Sequence, residues 1–544
     1  MNGLLAWVDS PSSASGIHFA TGDGWDWWPY DRLAAEATTL SGGLAECGVR
    51  RDDVVMIVLP AGADMVLSLY GAMLSGATVS PVAPAAVWHQ ATEYDEHLAR
   101  IARMAEPRAV ITRESSRERV QRAVGPGRPV VTPEQLRSAG SPLVRAPAAT
   151  ALLQLTSGSS HSPRGVRVSR RALEANVAAI AEWLGVADVP DSAHWMPLHH
   201  DMGLIGGLFT PVSIQGTVRS LRPGHFVRDP LRYLRCFGEQ GAAVGTMPNF
   251  GLEQVINRVT PEDLAGLDFS GWRALIVGAE RLNPVLLERF HDLLAPFGFA
   301  RRALTPAYGL AEATLAVTGL APPRDPRYAR LTPGAPATLH GPTASPEGGV
   351  VGCGTPLAGV RVWVRDGEGR PAPDGVVGEI MVSGSSLADG YQAGPQQDGD
   401  PAPSDMTFDG TVLRTGDAGF MLRGELFPLG RLCDSIKVRG RVVFAEDLER
   451  SLHSLGLPSY EVAVLLGLAE GGHRVVAVVE NPPPLIESRI VKVLERETGG
   501  LPVSVITGPL RTIERTTSGK PRRRAMWRRY LAGQLGTAAE SPAV

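Results

Sequence analysis

Short β-branched runs alternate with segments of helical periodicity, and this rhythm restricts the fold of the chain more than any other feature. Asp31 to Cys47 places apolar residues at helical spacing, and Val54 to Leu59 is a β-branched run. Asp64 to Leu74 is helical again, Ala109 to Thr112 is strand-like, and the same rhythm returns over residues 242–313. Strands that alternate with helices of this length favour a largely parallel sheet covered by helices.

The length and the change of pattern along the chain predict more than one domain. A chain of 544 residues is too long for a single ordinary core. The pattern becomes β-rich from about residue 360 and α+β beyond about residue 430. We therefore predict an α/β protein with an N-terminal domain over residues 1–430, built from layered α/β sheets and a β-rich subdomain. A small α+β C-terminal domain over residues 431–544 follows, and the Pro-, Gly- and Ala-rich residues 319–349 are predicted to be an insertion or a long loop.

Charge, cysteine spacing and hydropathy exclude several classes of protein. The net charge of -3 provides no field for holding nucleic acid. The four cysteines are far apart, which argues against a disulfide framework or structural zinc and favours a cytoplasmic location. The longest uncharged run, Met65 to Trp88, is interrupted by glycines and prolines, so we expect no membrane span. The N-terminus lacks the basic and apolar regions of a signal peptide.

The strongest local signal is a run of small hydroxylated residues and glycine between residues 155 and 165. Backbone N–H groups and hydroxyls at such a loop converge on an anion, and an arginine adds a fixed charge. The loop is not a Walker A sequence, and alone it is also compatible with a flexible surface turn. The candidate phosphate-binding residues are Thr156, Ser157, Gly158, Ser159, Ser160 and Arg164.

Further segments follow this loop in a set order. They read WMPLHHDMGL from Trp195, VGAE from Val277, AYGLAE from Ala307, RTGDAG from Arg414, GRLCD from Gly430 and TSGK from Thr517. Together they resemble the adenylate-forming superfamily of acyl-CoA synthetases, luciferases and peptide-synthetase adenylation domains, over nearly the whole chain. Within it, the PLHHDMGLIG run from Pro197 and the MPNF run from Met247 most resemble those of the fatty acyl-AMP ligases.

The resemblance implies a nucleotide site. Asp417 would accept hydrogen bonds from the ribose hydroxyls with help from Arg431, and Tyr308 would stack on adenine. Taken singly, Asp417 is more typical of an ordinary turn, and Tyr308 is also compatible with an ordinary half-buried tyrosine. Glu312 would hold Mg²⁺ together with Thr156, although a glutamate there can also be a solvated or helix-capping residue. The other implied nucleotide contacts are Gly278, Ala279, Glu280 and Gly309.

The resemblance also implies catalytic and acid-binding residues. Lys520 would reach the α-phosphate and the carboxylate from a mobile C-terminal domain and offset the charge of the transition state. His200 would lie near the carboxylate. A metal site at residues 199–201 is disfavoured, because three adjacent side chains do not face one ion. The implied acid-binding residues are His199, Asp201, Met202, Trp195 and Met247, each individually more typical of core.

The implied reaction is attack of a carboxylate on ATP, which gives acyl-AMP and pyrophosphate with Mg²⁺ as cofactor. The acyl group would then pass to the phosphopantetheine thiol of a separate acyl carrier protein. CoA as the acceptor remains an alternative, and so do aryl, amino or hydroxy acids as substrates. A non-catalytic adenylate-binding protein is disfavoured because Lys520, Glu312 and Asp417 are all present.

Overall fold

The fold is described from a computed structural model of the chain. It covers residues 3–85, 91–156, 164–185, 191–332, 335–340, 348–392, 407–438, 441–453, 455–469, 472–516, 519–535 and 539–540. Within these ranges, no helix is both long and apolar enough to cross a membrane. Ser157, Gly158, Ser159 and Ser160 of the expected phosphate loop lie outside the described residues.

The first sheet has six strands and is formed by the alternating N-terminal part of the sequence. Its strands are parallel except for the last pair, a hairpin that flanks the expected phosphate loop. In spatial order they are Val130–Val131, Ala109–Thr112, Val54–Val58, Thr78–Pro81, Thr150–Thr156 and Arg164–Ser169. The helices of this region are Tyr30–Glu46, Ala63–Leu74, Ala91–Ala105, Glu114–Val124, Pro133–Ala139 and Arg170–Trp183. Over its described residues, 65–85, the uncharged run that begins at Met65 is a buried helix followed by a strand.

The second sheet has nine strands, and six of them are parallel. The N-terminal hairpin of residues 16–29 forms one edge and pairs with a strand some 200 residues later in the chain. The spatial order is Thr355–Pro356, Ala316–Gly319, Leu304–Gly309, Ala274–Val277, Val244–Met247, Ser192–His194, Val218–Ser220, Gly16–Ala20 and Trp25–Pro29. The helices are a π-helix Met202–Phe209, then Thr210–Ser213, Pro223–Arg228, Pro230–Gly238, Asn249–Arg258 and Pro284–Leu294. Parallel strands place their carboxyl ends at one edge, where ligands bind in open α/β sheets.

The β-rich part that follows consists of antiparallel sheets. One contains Val360–Arg365, Gly378–Gly384, Thr407–Asp409, Val412–Leu422 and Glu425–Arg431. The other contains Ala335–His340, Tyr328–Thr332 and Val350–Val351. The prediction of a long loop over residues 319–349 is therefore wrong in its middle. Alternation is hard to recognise there because small residues and prolines replace the usual β-branched ones.

The C-terminal residues form a small α+β unit with apolar cores of their own. A hairpin, Ser435–Val438 and Arg441–Phe444, precedes a four-stranded sheet of Val462–Ala469, Gly472–Glu480, Val503–Gly508 and Ala539–Glu540. The helices are Ala445–His453, Glu487–Thr498 and Arg523–Leu531. Single 3₁₀ turns occur at Ala6–Val8, Ala295–Phe297, Arg301–Ala303, Ala311–Ala313, Leu432–Asp434 and Ser459–Glu461. The predicted fold class, α/β sheets with a β-rich part and a small α+β domain, is confirmed.

Candidate active site

A cavity of about 1310 Å³ runs from the carboxyl edge of the nine-stranded sheet toward its interior. The C-terminal unit closes part of its mouth, and the Arg281 guanidinium lies 2.8 Å from the Asp447 carboxylate across that junction. Most of the residues expected from the sequence to bind substrate meet here. Those that line the cavity are Thr156, Arg164, Trp195, His200, Asp201, Met202, Gly278, Ala279, Glu280, Tyr308, Gly309, Glu312, Asp417, Arg431 and Lys520.

One wall of the mouth is a hydrogen-bonded group of three side chains. Tyr308 ends a strand of the large sheet, and its phenol donates to Asp417 Oδ2 at 2.6 Å. Arg431 lies opposite Asp417 in the antiparallel register and places its Nε 2.8 Å from Asp417 Oδ1. The carboxylate raises the pKa of Arg431, and burial raises the pKa of Tyr308. Asp417 is therefore oriented by two neighbours, and its carboxylate has lone pairs left over for further donors.

Another part of the cavity lies where the C-terminal unit contacts the turn that follows the strand Ala274–Val277. The Lys520 ammonium donates to the Ala279 carbonyl at 2.6 Å. Ala279 has a φ of 75°, in the left-handed region that non-glycine residues rarely adopt. Strain of this kind clusters at ligand sites because the surrounding structure must hold it in place. In the same turn, Glu280 accepts a hydrogen bond from the backbone N–H of Asn249 at 3.0 Å.

A second carboxylate, Glu312, lies on the 3₁₀ turn that follows Tyr308 and is 5% exposed. The Tyr391 phenol donates to Glu312 Oε1 at 2.7 Å, and the Arg164 guanidinium lies 5.6 Å from the Tyr391 ring centroid. Burial raises the pKa of Glu312, and the Tyr391 hydrogen bond partly offsets that rise. Thr156 lies opposite Arg164 in the hairpin and lines the same cavity.

The structure does not bring every expected residue to the cavity. Met247 is fully buried in the apolar core beneath the sheet, and neither Met247 nor His199 lines the cavity. The carbonyl of His199 accepts a hydrogen bond from Gln154 Nε2 at 2.9 Å, and burial holds the pKa of its ring well below the usual value. Trp195 stacks on Phe226, with ring centroids 3.9 Å apart, so much of its surface packs against the core.

Two features of the site were not identified in the sequence. Tyr391 lies in an irregular segment with no motif, and it reaches Glu312 because it bridges to Val166 of the hairpin. The inner part of the cavity also exposes polar side chains on the face of the sheet. These are Ser192 and His194 on a three-residue strand and Thr246 on a four-residue strand, and strands so short show no recognisable alternation in the sequence.

Comparison with known proteins places the chain among enzymes that act through adenylates. The family model described as AMP-binding enzyme matches residues 9–392. A 4-hydroxyphenylalkanoate adenylyltransferase of Mycobacterium tuberculosis is 30% identical over 93% of this chain and 86% of its own length. The long-chain-fatty-acid–AMP ligase FadD26 of Mycobacterium marinum is also 30% identical, over 92% of this chain and 91% of its own.

Solved structures of enzymes that form acyl adenylates have the same fold. A structure from a study of fatty acyl-adenylate ligases of E. coli and L. pneumophila superposes with a TM-score of 0.86 at 26% identity, covering 98% of both chains. A fatty acyl-adenylate ligase of L. pneumophila, in complex with acyl adenylate and pyrophosphate, gives a TM-score of 0.70 at 25% identity. It covers 97% of this chain and 96% of its own.

Proposed function

The chain belongs to the family of AMP-binding enzymes, and on that premise we propose how it activates an acid and where the acyl group goes. It is an adenylate-forming ligase, which activates a carboxylic acid as acyl-AMP. We propose that the acid is hydrophobic and that its acyl group passes to the phosphopantetheine thiol of a separate carrier protein. The observation that carries the assignment is Lys520, which reaches the strained Ala279 turn in the cavity that Asp417 also lines.

The proposed first step is attack of a carboxylate oxygen on the α-phosphorus of ATP. The new P–O bond forms as the bond to the pyrophosphate oxygen breaks, so negative charge gathers on the phosphoryl oxygens. The Lys520 ammonium is the mobile positive charge at this point, and Arg164 is a fixed one at the phosphate loop. A preorganised cation stabilises such a transition state more than the ground state.

Asp417 and Tyr308 are proposed to position the nucleotide. The Asp417 carboxylate is a pure acceptor, and its unused lone pairs suit the two ribose hydroxyl donors. Arg431 holds that carboxylate in place through its ion pair. Tyr308 offers an aromatic face for adenine beside Gly278, where a side chain would come within 2.9 Å of the Ala307 carbonyl.

The residues present fit a Mg²⁺ ion bound together with ATP. Mg²⁺ takes one or two protein oxygens and leaves its other positions to phosphates and water. Glu312 supplies a buried carboxylate that faces the cavity, and Thr156 supplies a hydroxyl. When bound, the ion would offset charge on the phosphate oxygens. Tyr391 would orient Glu312 for this role through its 2.7 Å hydrogen bond.

We also propose that residues 431–544 rotate between the two half-reactions. The ion pair Arg281–Asp447 and the Lys520–Ala279 hydrogen bond join the C-terminal unit to the large domain in the arrangement suited to adenylation. The thiol acceptor needs access to the acyl-AMP carbonyl, which these contacts would restrict. The strand Glu425–Arg431 ends at the expected boundary, and a 3₁₀ turn containing Cys433 follows it.

The first experiment is carboxylate-dependent pyrophosphate release with Mg·ATP, measured across a chain-length panel with and without CoA and with a phosphopantetheinylated carrier protein. We expect release with at least one hydrophobic acid, and thioester formation on the carrier but not on CoA. Efficient acyl-CoA formation would instead assign CoA as the acceptor. Absence of release with all acids would contradict the proposed activation.

A further inference from the structure

Three polar side chains lie on the sheet face that forms the inner wall of the cavity. They are Ser192 and His194 on one short strand and Thr246 on its neighbour, and all three line the cavity. His194 is 2% exposed and Thr246 is 6% exposed. Among the described residues, neither hydroxyl oxygen and neither nitrogen of the imidazole has a hydrogen-bond partner. Buried polar groups of folded proteins are nearly always paired, so this cluster requires an explanation.

The register of the sheet places the three side chains side by side. Ser192 pairs with Val244 and Ala193 pairs with Gly245, so Thr246 follows directly beside His194. Alternate residues of a strand point to the same face, which puts Ser192, His194 and Thr246 on one face. Trp195, one residue further along, stacks on Phe226 in the core on the other side.

The imidazole lies against the backbone of the π-helix Met202–Phe209. A Cβ at Gly207 would lie 3.0 Å from His194 Cγ, so the glycine leaves the space that the ring occupies. The Met196 backbone influences the pKa of the ring but does not meet the geometry of a hydrogen bond. The cavity is also lined by apolar side chains, Ile180, Leu184, Ile214, Val244 and Leu315. The polar row therefore shares the cavity with side chains that suit a hydrocarbon chain.

Burial lowers the pKa of His194 to about 4, so the ring is neutral at physiological pH. A neutral imidazole carries one donor and one acceptor, and each neighbouring hydroxyl can act as either. Such a set matches an uncharged hydroxyl or carbonyl oxygen rather than a second carboxylate. The register sets Thr246 opposite Ile276, three residues before Ala279, a distance of ~10 Å along the strands. The row is thus remote from the reacting carboxylate.

We propose that Ser192, His194 and Thr246 form a row that selects acids bearing a neutral hydroxyl or carbonyl oxygen remote from the carboxylate. This inference rests on the proposed function, because it assumes that the acid occupies this part of the cavity. The apolar walls bind the hydrocarbon, and the row rejects chains that leave its polar atoms unpaired. A site built to hydrogen-bond a substrate hydroxyl discriminates far more strongly than an apolar pocket that differs by a methylene.

The test compares matched acids in the pyrophosphate assay. The panel contains medium-chain alkanoic acids, their hydroxy and oxo derivatives substituted at each successive carbon, and the pair of 4-hydroxyphenyl and phenyl alkanoic acids. For wild-type protein we expect the best substituted acid to exceed its unsubstituted parent by roughly 100-fold or more in kcat/KM. His194→Leu should reduce that ratio to about tenfold or less, with the parent acid affected least.

Thr246→Val is a nearly isosteric second variant, and it should lower the same ratio even if His194→Leu fails to fold. Ser68→Ala is the matched control. Ser68 is also a fully buried serine without a hydrogen-bond partner among the described residues, but it lies on the helix Ala63–Leu74 and does not line the cavity. We expect Ser68→Ala to leave the ratio unchanged. A wild-type preference for plain alkyl acids that neither cavity variant alters would overturn the inference and indicate that water satisfies the row.

Calorimetric binding of the same acid pairs separates this inference from the proposed reaction. Tighter binding of the substituted acid, lost in Thr246→Val, would support the row even if no acid released pyrophosphate. Equal binding of both members of every pair, in wild type and variant alike, would overturn the row even if pyrophosphate release were efficient.

Discussion

The two ends of the cavity differ in how their polar groups are satisfied. At the mouth, Asp417 is held by Tyr308 and Arg431, and Glu312 is held by Tyr391. At the inner end, Ser192, His194 and Thr246 have no such partners among the described residues. Under the proposed function, the mouth is preorganised for ATP, which every turnover brings, and the inner end would be completed only by an acid with a matching polar group.

The difference follows from where the side chains sit. Those at the mouth come from turns after strands and from the β-rich sheet, where several backbone segments converge and can supply partners. Those at the inner end lie on two short strands beside the apolar π-helix Met202–Phe209, where few partners are available. Substitutions at the mouth should thus lower activity with all acids by the same factor, whereas substitutions at the inner end should change the ranking of acids.

The largest effect is expected for Lys520→Ala. Removing the ammonium should lower carboxylate-dependent pyrophosphate release by about 10²–10³-fold for every acid, because a preorganised charge at the transition state is lost. Consumption of preformed acyl-AMP by the thiol acceptor should survive, since the thiol attacks the acyl carbonyl carbon and the phosphorus is not attacked in that step. Both rates are measured by rapid quench.

Lys492→Ala provides the control, because Lys492 is an exposed lysine of the same C-terminal unit that does not line the cavity. It should leave both rates unchanged. Pyrophosphate release by Lys520→Ala at a near wild-type rate would remove the lysine from the proposed mechanism.

Asp417→Asn should have the second largest effect. The carboxylate that accepts from Arg431 and from the ribose hydroxyls would become a neutral amide, which has one acceptor oxygen and one NH₂ donor. Hydrogen bonds to charged groups contribute about 1.5–3 kcal/mol. We expect the KM for ATP to rise by roughly 10- to 100-fold, equally for all acids, as measured by initial rates at varied ATP.

Asp409→Asn is the matched substitution in the same β-rich sheet, because Asp409 is the exposed last residue of the strand Thr407–Asp409. It should not alter the KM for ATP. An effect of Asp417→Asn that depended on the acid would contradict the division between the two ends of the cavity.

Tyr391→Phe should have the smallest effect, a few-fold loss of kcat/KM at neutral pH, because it removes one hydrogen bond to Glu312 but leaves in place the carboxylate that is proposed to hold Mg²⁺. Its diagnostic is the pH profile. The phenol stabilises the ionised form of Glu312, so its removal raises the pKa of that carboxyl further. On acidification, activity that depends on the Glu312 carboxylate should therefore be lost at a higher pH in Tyr391→Phe than in wild type.

Tyr94→Phe removes a comparable phenol, which donates a 2.8 Å hydrogen bond to the Ala83 carbonyl and does not line the cavity. Its pH profile should match that of wild type. Identical acidic limbs for Tyr391→Phe and wild type would show that Glu312 does not titrate in the rate.

The sequence predicted those parts of the fold in which periodicity extends over a full element. The helix expected over Asp64 to Leu74 is observed at Ala63–Leu74, and the strand over Ala109 to Thr112 is observed with those bounds. The π-helix Met202–Phe209 was missed, since its glycines and continuous apolar residues show no helical period. Ser192–His194 has three residues, too few for alternation to be recognised.

The candidate site was predictable only where a residue lies in a contiguous motif. Asp417, Arg431, Tyr308 and Glu312 belong to such motifs, and the structure brings them to one cavity, although their roles stay predictions. Tyr391 and Thr246 depend on contacts between segments far apart in the chain, which no local pattern encodes. Met247 belongs to a motif yet points away from the cavity, because its strand turns alternate residues toward the core.

The edge hairpin of the nine-stranded sheet has a consequence for synthesis of the protein on the ribosome. The six-stranded sheet uses strands only from residues 54–169 and can assemble as soon as these emerge. The hairpin ends at Pro29, but its parallel partner Val218–Ser220 is made about 190 residues later. At about 5–20 residues per second, the tryptophan-bearing hairpin waits on the order of 10–40 s for that partner. Slow translation should therefore lengthen the exposure of the hairpin to chaperones and to aggregation, so a strand pair made early is among the last to complete its pairing.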